Sequence, residues 1–278
     1  MDVDYDYDEE LIFFSDKLKI YVSYNISAKG SIRRGTSTEL LVNNTNMAEA
    51  IAYDWVHKVL YWTDTSKDTC TIELLTMKGR HRRTIVDLQC NIIEGIAVDP
   101  RDDQRWVYWT DWGSKPKIEK AGLDGSHRTL VVATNIGMPY DVAIDFADNR
   151  LYWTDGEYNA ILSCDLSGQD IRRVFSEYRI TSYPRSVDVF GDMVYWDDGR
   201  DKGVYEFSKT LRWPDARTVR RIWMRDPRGL RIYHSMKQPK GSDPCGINNG
   251  GCSHICLAAP AIGSSTKNFS CFCPDTGC

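Results

Sequence analysis

The chain has 278 residues, of which 42% are apolar and 12% aromatic, which is enough for one large β-rich unit with a substantial core and a small appendage. Its net charge is −4, so no overall positive field points to nucleic-acid binding. No run of about 18 apolar residues predicts a membrane span, and the acidic first ten residues lack the basic and apolar regions of a signal peptide.

A short aromatic motif recurs along the chain and organises it. Its fullest copy lies in residues 107–113, where the core reads Tyr-Trp-Thr-Asp, and imperfect copies recur every 43 to 48 residues. A steady period of this length predicts a propeller or another repeat array. The copies end at Asp16, Asp64, Asp111, Asp155 and Asp198, and the last four carry the tryptophans Trp62, Trp109, Trp153 and Trp196.

Two further anchors keep the same period. A strand-like run precedes each motif, and these runs begin at Met1, Glu49, Glu94, Tyr140 and Arg185. A glycine turn that leads into basic residues follows the motif at Gly30, Gly79, Gly125 and Gly168. Each period therefore predicts four short strands. In chain order the predicted blades span residues 1–46, 49–87, 94–132, 140–175 and 185–222.

Five motif copies in register, followed by six cysteines in the last 34 residues, resemble the YWTD β-propeller and EGF-like pair of the low-density-lipoprotein receptor-related family. The resemblance implies an all-β propeller of the six-bladed type at residues 1–239 and an EGF-like domain at residues 240–278. Five blades and one strand of the sixth, at residues 228–234, are present. The family takes its other sixth-blade strands from the N-terminal end, so we expect roughly 40 residues of the domain to be absent, one blade less one strand, and the chain to be a fragment.

The cysteines indicate an oxidising compartment, because a segment this short needs disulfides to fold. Spacing alone leaves 15 pairings open. The resemblance implies the pairs Cys245–Cys256, Cys252–Cys271 and Cys273–Cys278. A zinc site is disfavoured because CxxC pairs are missing, and the acidic calcium signature before Cys245 is absent, so we predict no metal and no cofactor. Cys70 and Cys90 form a candidate disulfide, which leaves Cys164 as a buried thiol.

Three sequons, at Asn25, Asn43 and Asn268, are candidate glycosylation sites in an exported chain. Together with the cysteines they predict an extracellular or cell-surface location. By resemblance, the parent protein is a single-pass membrane receptor, and any membrane association comes through that parent alone.

The motif residues are interpreted as scaffold, since a residue that recurs in every blade serves a structural task. In an extended strand Tyr108 and Thr110 project to one face and Trp109 and Asp111 to the other. The aromatic rings are expected to fill the wedges between neighbouring sheets. Each motif aspartate is expected to accept backbone N–H groups in the following turn.

No catalytic constellation stands out in the sequence. The five histidines, His57, His81, His127, His234 and His254, share no spacing. Some six-bladed propellers are metal-dependent hydrolases with acids around the channel, and Glu49, Glu94 and Asp141 hold comparable places. No histidine or asparagine set accompanies these acids, so we predict no catalytic residues and no enzyme.

The same strand starts support a binding hypothesis. By resemblance, residues just before the inner strands line the propeller end where partner loops dock. This rim comprises Glu49, Glu94, Met138, Tyr140, Asp141 and Arg185, a mixture of acids and exposed aromatics that suits a protein ligand. Several family members place Trp-Pro-Asn before the fourth inner strand, whereas this chain has Met-Pro-Tyr, so recognition directed by that asparagine is not expected. The alternative is a solvated loop rim.

The resemblance therefore implies an extracellular, ligand-binding part of a low-density-lipoprotein receptor-related receptor, either endocytic or a signalling co-receptor. Its expected ligand is a lipoprotein, a secreted signalling protein or a matrix protein, and no nucleic acid. Two alternatives stay open: a secreted, nidogen-like matrix adhesion module, and a propeller hydrolase.

Overall fold

The computed structural model is built almost entirely from short antiparallel strands, which form the blades of a β-propeller. The structure describes residues 1–24, 37–67, 69–88, 92–176, 183–209, 217–220, 229–262 and 268–278. Each of the five motif repeats forms a blade of four antiparallel strands, as the period predicts. The prediction of an all-β propeller is therefore confirmed.

The strands run from the channel outward in each blade. Blade 1 contains β1 (Val3–Asp6), β2 (Leu11–Ser15), β3 (Lys17–Ser23) and the first part of β4 (Thr38–Asp54), whose second part is the inner strand of blade 2. Blade 2 continues with β5 (Val59–Thr65), β6 (Cys70–Thr76) and β7 (Arg82–Leu88). Blade 3 contains β8 (Ile93–Asp99), β9 (Trp106–Asp111), β10 (Lys117–Gly122) and β11 (Thr129–Val132). Blade 4 contains β12 (Pro139–Asp145), β13 (Arg150–Asp155), β14 (Ala160–Asp165) and β15 (Arg172–Phe175). Blade 5 contains β16 (Pro184–Phe190), β17 (Met193–Asp198), β18 (Gly203–Ser208) and β19 (Arg217–Arg220).

Inner strands of consecutive blades lie side by side around the channel, in the order β1, β4, β8, β12 and β16. Residues 229–238, here called the closing segment, pass between β16 and β1. On one side the Ser186 hydroxyl accepts the Gly229 N–H at 2.8 Å. On the other side the Tyr5 hydroxyl donates to the Ile232 carbonyl at 2.7 Å. The segment thus holds the place at the channel that the family resemblance assigns to the inner strand of a sixth blade.

Motif aromatics fill the wedges between blades, as expected for a scaffold. The wedge between blades 2 and 3 contains Tyr61 and Trp109, and the wedge between blades 3 and 4 contains Tyr108 and Trp153. The wedge between blades 4 and 5 contains Tyr152 and Trp196, and the wedge between blades 1 and 2 contains Trp62 with Phe13 at the tyrosine position, so each motif tryptophan points to the previous blade. All four motif tryptophans are completely buried. Alternation along the strand therefore ties every blade to both of its neighbours.

Glycine turns between the third and fourth strands also bind blades together. Gly125 and Gly168 both have φ near +84°, a conformation that side chains with a Cβ rarely adopt. A Cβ on Gly168 would lie 1.8 Å from the Val131 carbonyl oxygen, and one on Gly125 would lie 2.4 Å from the Ile85 carbonyl oxygen. The turns of blades 3 and 4 therefore press on the outer strand of the previous blade, which accounts for the glycines at these two positions.

The C-terminal segment, described for residues 240–262 and 268–278, packs on the side of the propeller. Its strands β20 (Ile255–Ala258) and β21 (Phe269–Phe272) form a hairpin, and Ile255 and Leu257 enter the core between blades 2 and 3. The Asp275 N–H donates to the Arg82 carbonyl at 3.2 Å, so the tail covers the edge of β7. Disulfides join the pairs that the resemblance implied, Cys245–Cys256, Cys252–Cys271 and Cys273–Cys278. The division of the chain at residue 239 stays a prediction.

Asn25, Gly30 and Cys90 lie outside the described residues. Cys70 is buried in β6, and its pairing with Cys90 stays a prediction. Cys164 is a buried thiol, as expected, and burial raises its pKa to about 12. Two candidate glycosylation sites are described: Asn43 is exposed and Asn268 is half-buried.

Candidate functional site

The motif threonines position the start of the inner strands. In β8 and β12, and where the blade 2 part of β4 begins, the regular pairing with the motif strand slips within the first few residues. At the slip the hydroxyl of Thr110 accepts the Gly95 N–H at 2.8 Å and donates to the Tyr140 carbonyl of the next blade at 3.1 Å. In the same way, the Thr154 hydroxyl accepts the backbone N–H of Asp141 and donates to the Arg185 carbonyl at 2.7 Å. Each threonine therefore fixes the strand start of its own blade and that of the following blade.

Motif aspartates hold the loops that precede the same strands. Asp64 accepts the N–H groups of Asn46 and Met47 at 2.8 and 2.7 Å, and Asp155 accepts those of Gly137 and Met138. Asp155 also accepts N–H groups from the turn that follows it, which is the role expected from the sequence. The structure adds the second role, in which the motif shapes the loops of the predicted rim.

The strand starts converge on one end of the channel, here called the upper mouth. A cavity of about 60 Å³ at this end is lined by five of the six predicted rim residues and by Asp2. The five are Glu49, Glu94, Tyr140, Asp141 and Arg185. Met138 does not line this cavity; its carbonyl accepts the Gly156 N–H at 2.9 Å in the loop beside it. Acids from blades 1 to 4 thus face Arg185 of blade 5 across the mouth.

A row of aromatic side chains, here called the aromatic arc, borders the upper mouth on blades 3 to 5. Trp112 makes an edge contact with Tyr140 at 5.9 Å between ring centroids, and Tyr140 makes one with Tyr183 at 5.4 Å. The Arg185 guanidinium lies over the Tyr183 ring at 4.8 Å, and the Trp112 indole N–H donates to Glu94 at 3.1 Å. The aromatic arc therefore connects the acid Glu94 to Arg185 in one continuous surface.

The rim prediction was wrong about the exposure of Tyr140, which is only 7% exposed. Its ring lies against Gly156, where a Cβ would approach within 2.3 Å, and its hydroxyl donates to the Tyr183 hydroxyl at 2.9 Å. The half-buried members of the arc are Trp112 and Tyr183, which the sequence reasoning missed. A signal existed for Trp112, because blades 4 and 5 place Gly156 and Gly199 directly after the motif aspartate and blade 3 places a tryptophan there.

The Asp141 carboxylate contacts the inner strands of the channel and is not exposed at the rim. It is 8% exposed, accepts the Val142 and Val187 N–H groups, and lies 3.2 Å from the Arg231 guanidinium. Burial raises the pKa of Asp141 to about 6, an effect that nearby Asp2 reinforces and Arg231 opposes. The carboxylate is therefore committed to holding two inner strands and one buried cation.

Arg231 of the closing segment lies across the channel below the upper mouth. Its guanidinium contacts Asp141 and Asp2, at 3.2 and 3.4 Å. Burial lowers the pKa of Arg231, but the surrounding carboxylates outweigh this and raise it well above its usual value. Arg231 also lines a second cavity, of about 70 Å³, together with Ala97 and Ala143 of the inner strands of blades 3 and 4.

Other channel carboxylates cross-link neighbouring inner strands. Asp4 accepts the N–H of Tyr5 in its own strand and that of Tyr53 in blade 2. Asp188 accepts the N–H of Ile232 at 2.7 Å and the ammonium of Lys237 at 2.5 Å, so it anchors the closing segment. Burial raises the pKa of Asp4 to about 7, although Arg231 and the two backbone donors oppose this rise. The channel is thus held together largely by buried acids.

Comparison with known proteins bears on this architecture. Residues 58–100 and 105–146, which span the motifs of blades 2 and 3, match the family model of the low-density lipoprotein receptor repeat class B. Over 260 residues, 92% of the chain, the sequence is 35% identical to low-density lipoprotein receptor-related protein 8 of Gallus gallus. Over 87% of the chain it is 31% identical to the vitellogenin receptor Yl of Drosophila melanogaster.

The chain belongs to the low-density-lipoprotein receptor-related family. It spans 27% of the length of the chicken relative and 12% of the length of the fly relative. The family resemblance drawn from the motif copies and the cysteines is therefore confirmed. The roles of the individual rim residues stay predictions.

Solved structures support the fold. The propeller of a nidogen/laminin complex matches with a TM-score of 0.65 at 22% identity, over 75% of each chain. A gluconolactonase from Xanthomonas campestris matches with a TM-score of 0.57 at 15% identity, over 75% of this chain and 72% of that one. At such low identity these likenesses concern the fold of this receptor-family chain and say nothing of its chemistry.

Within the described ranges, no helix has the length and apolar character needed to cross a membrane. Across that same part of the chain, no group of three or more histidine, cysteine, aspartate or glutamate side chains is arranged to hold a metal ion.

Proposed function

We propose that this chain is an extracellular, ligand-binding part of a receptor and that it binds a protein ligand at the upper mouth and the aromatic arc. The observation that carries the proposal is the convergence of Glu49, Glu94, Arg185, Trp112 and Tyr183 on one surface. Half-buried tryptophan, tyrosine and arginine side chains beside a concave centre are the residue types that dominate protein interfaces.

The relatives support a receptor role. One is named as a receptor-related protein and the other as a vitellogenin receptor. A lipoprotein or another secreted protein is accordingly the ligand class that we favour. The three disulfides fit an extracellular setting, since such bonds persist in oxidising compartments.

Two other functions compete with this proposal. A matrix adhesion module would use the same surface for a matrix protein instead of a soluble cargo. A hydrolase would need channel acids that are available to a substrate, whereas Asp141 and Asp2 contact Arg231 and both accept backbone N–H groups. Absence of hydrolysis of lactone and ester substrates, with and without added calcium, is the expected result.

The binding proposal is tested by site-specific photocrosslinking. A photoreactive residue replaces Glu94 in one protein and Leu130, which is 52% exposed on outer strand β11, in a control. Each protein is irradiated on intact cells in medium that contains secreted proteins, and adducts are identified by mass spectrometry. We expect a secreted protein to be attached through position 94 and not through position 130.

The captured ligand is then purified and its affinity for variants is measured. Reversal of charge in Glu94→Lys and Glu49→Lys should weaken binding by about tenfold or more, which corresponds to about 1.4 kcal/mol. The matched control is Asp103→Lys, an exposed acid in the turn between β8 and β9 at the opposite end of blade 3. Equal affinity for all three variants, or attachment through position 130 alone, would place the binding surface elsewhere.

A further inference from the structure

Three histidines that are far apart in the sequence meet in one cleft between blade 2 and the C-terminal segment. His57 follows the inner strand of blade 2, His81 precedes β7, and His254 precedes β20. All three line a cavity of about 240 Å³. The rings of His81 and His254 lie edge to face with their centroids 5.8 Å apart. The cleft lies away from the channel, so the proposed ligand surface does not account for it.

His57 has a buried nitrogen with no partner. Its Nδ1 lies 2.6 Å from the Asp54 carboxylate, and its side chain is 4% exposed. On the opposite side of the ring, Nε2 has no hydrogen-bond partner among the described residues. Burial lowers the pKa of His57, but the Asp54 carboxylate outweighs this effect and raises it. A protonated ring then presents Nε2–H as a donor, and a buried donor without an acceptor is costly.

Two lysines and one acid line the cleft beside the histidines. Blade 2 contributes Lys58 and Lys78, and the C-terminal segment contributes Asp243 as the acid of the cavity lining. The Lys58 ammonium is held by Asp6 at 2.6 Å, whereas Lys78 is exposed and has no ion-pair partner among the described side chains. The Asp243 carboxylate accepts the Cys245 N–H at 2.8 Å. Lys78 and the imidazoles therefore define the character of the cleft.

Charged groups just beyond the cleft lining are largely paired with one another. On the far side of His81, Arg80 binds Glu39 and Arg82 binds Glu73, and Asp275 accepts from Thr84. Behind His57, Arg105 of blade 3 lies 3.5 Å from Asp102. These pairs largely neutralise each other, so Lys78 and the three imidazoles are the groups of the cleft that are available to a ligand.

We propose that this cleft binds a tetrahedral oxyanion, a sulfate or phosphate group, through His57, His81, His254 and Lys78. A protonated imidazole offers two N–H donors and a positive charge, which suits oxygen atoms that only accept. An oxygen placed at Nε2 of His57 satisfies the donor that the fold leaves buried. Binding strengthens as the pH falls, because anion binding and proton uptake by His57 favour each other.

The test follows the ring nitrogens of the histidines by NMR during titration of the intact chain with sodium sulfate, against sodium chloride at equal ionic strength. We expect shifts at His57, His81 and His254 and none at His127 or His234. We also expect the dissociation constant to fall by as much as about tenfold per pH unit for each proton taken up. Lys78→Gln and His81→Ala should weaken sulfate binding at least severalfold, whereas Lys115→Gln, an exposed lysine on blade 3, should not.

Two further arms identify the source of the anion. Heparin that displaces sulfate from the cleft indicates a sulfated polysaccharide, whereas inorganic phosphate that binds when heparin does not indicates a free anion. Thermal melting of each variant checks that the chain still folds. The proposal is overturned if sulfate shifts no cleft histidine, if affinity does not depend on pH, or if Lys115→Gln weakens binding as much as Lys78→Gln.

Discussion

Replacement of Arg231 with methionine should weaken the propeller strongly, because it removes the cation from a ring of buried acids. The guanidinium lies 3.2 Å from Asp141 and 3.4 Å from Asp2, and the side chain is 13% exposed. Methionine keeps most of the side-chain volume and leaves the carboxylates without their counter-charge. Loss of one partner from a buried ion pair costs about 3–5 kcal/mol. For a chain of this size that corresponds to a melting temperature lower by roughly 6–20 °C.

The same change carries a distinctive pH dependence. Burial raises the pKa of Asp4 to about 7 and of Asp141 to about 6, and Arg231 opposes both shifts. These folded-state values lie above the usual aspartate value, so the folded chain binds protons more tightly than the unfolded chain, and stability falls as the pH rises through 6 to 7. Removal of Arg231 raises both pKa values further. The destabilisation should therefore be larger at pH 7.5 than at pH 5.

Urea unfolding followed by tryptophan fluorescence at the two pH values measures both effects. The control is Arg172→Met, which makes the same replacement at an exposed arginine that pairs with Asp170 on the surface, and which should leave stability unchanged. A loss below about 1 kcal/mol for Arg231→Met, the range of an exposed ion pair, would refute the buried-cation argument. An equal loss at both pH values would refute the coupling to the aspartates.

Further predictions concern the core, the channel acids and the rim. Trp153→Ala should cost about 3–5 kcal/mol in unfolding free energy, because the ring is fully buried between blades 3 and 4. Tyr158→Ala, at a 38% exposed position, should cost far less. Denaturant unfolding of the two variants measures the difference. Wild-type protein should melt at a higher temperature at pH 5.5 than at pH 7.5, since protonation of Asp4, whose pKa is about 7, favours the folded state. Asp4→Asn should reduce this dependence of the melting temperature on pH. An unchanged dependence would exclude Asp4 as its source. Gly156→Ala should displace the Tyr140 ring, because the new Cβ would lie 2.3 Å from it. It should weaken ligand binding more than Gly191→Ala, where a Cβ meets nothing within 4 Å and the strain is confined to the local backbone, at φ +56°.

The repeat could be read from the sequence because its signal is periodic. Each of the last four motif copies places a tryptophan, such as Trp153, in the wedge toward the preceding blade, and a spacing of 43 to 48 residues predicts blades before any contact is known. Arg231 could not be placed, since its partners Asp2 and Asp141 lie 229 and 90 residues away along the chain. The cleft histidines share no spacing for a similar reason: His57 and His81 lie in different turns of blade 2, and the docking of the C-terminal segment adds His254.

The sequence predicted the position of the rim residues but not how deeply each is buried. Position within the period predicted that Glu49, Glu94 and Arg185 would share one end of the channel, and the structure places them around one cavity. The burial of a side chain depends on its packing against other loops and strands, which the repeat period alone does not describe. Tyr140 is covered because Gly156 leaves room for its ring, whereas Trp112 comes from the loop after the motif and stays half-buried.

Rim side chains differ in how well they can report on ligand binding. The motif threonines hold the strand starts through backbone atoms, as Thr110 does at the Tyr140 carbonyl and Thr154 at the Arg185 carbonyl. Backbone bonds of this kind persist whichever side chain the rim carries, so changes at Glu49, Glu94 or Arg185 alter the surface with little effect on the scaffold. Asp141 differs, because its carboxylate accepts two strand N–H groups and faces Arg231. Loss of binding in an Asp141 variant would therefore report a disturbed channel, whereas the half-buried charges of Glu49, Glu94 and Arg185 can separate recognition from folding.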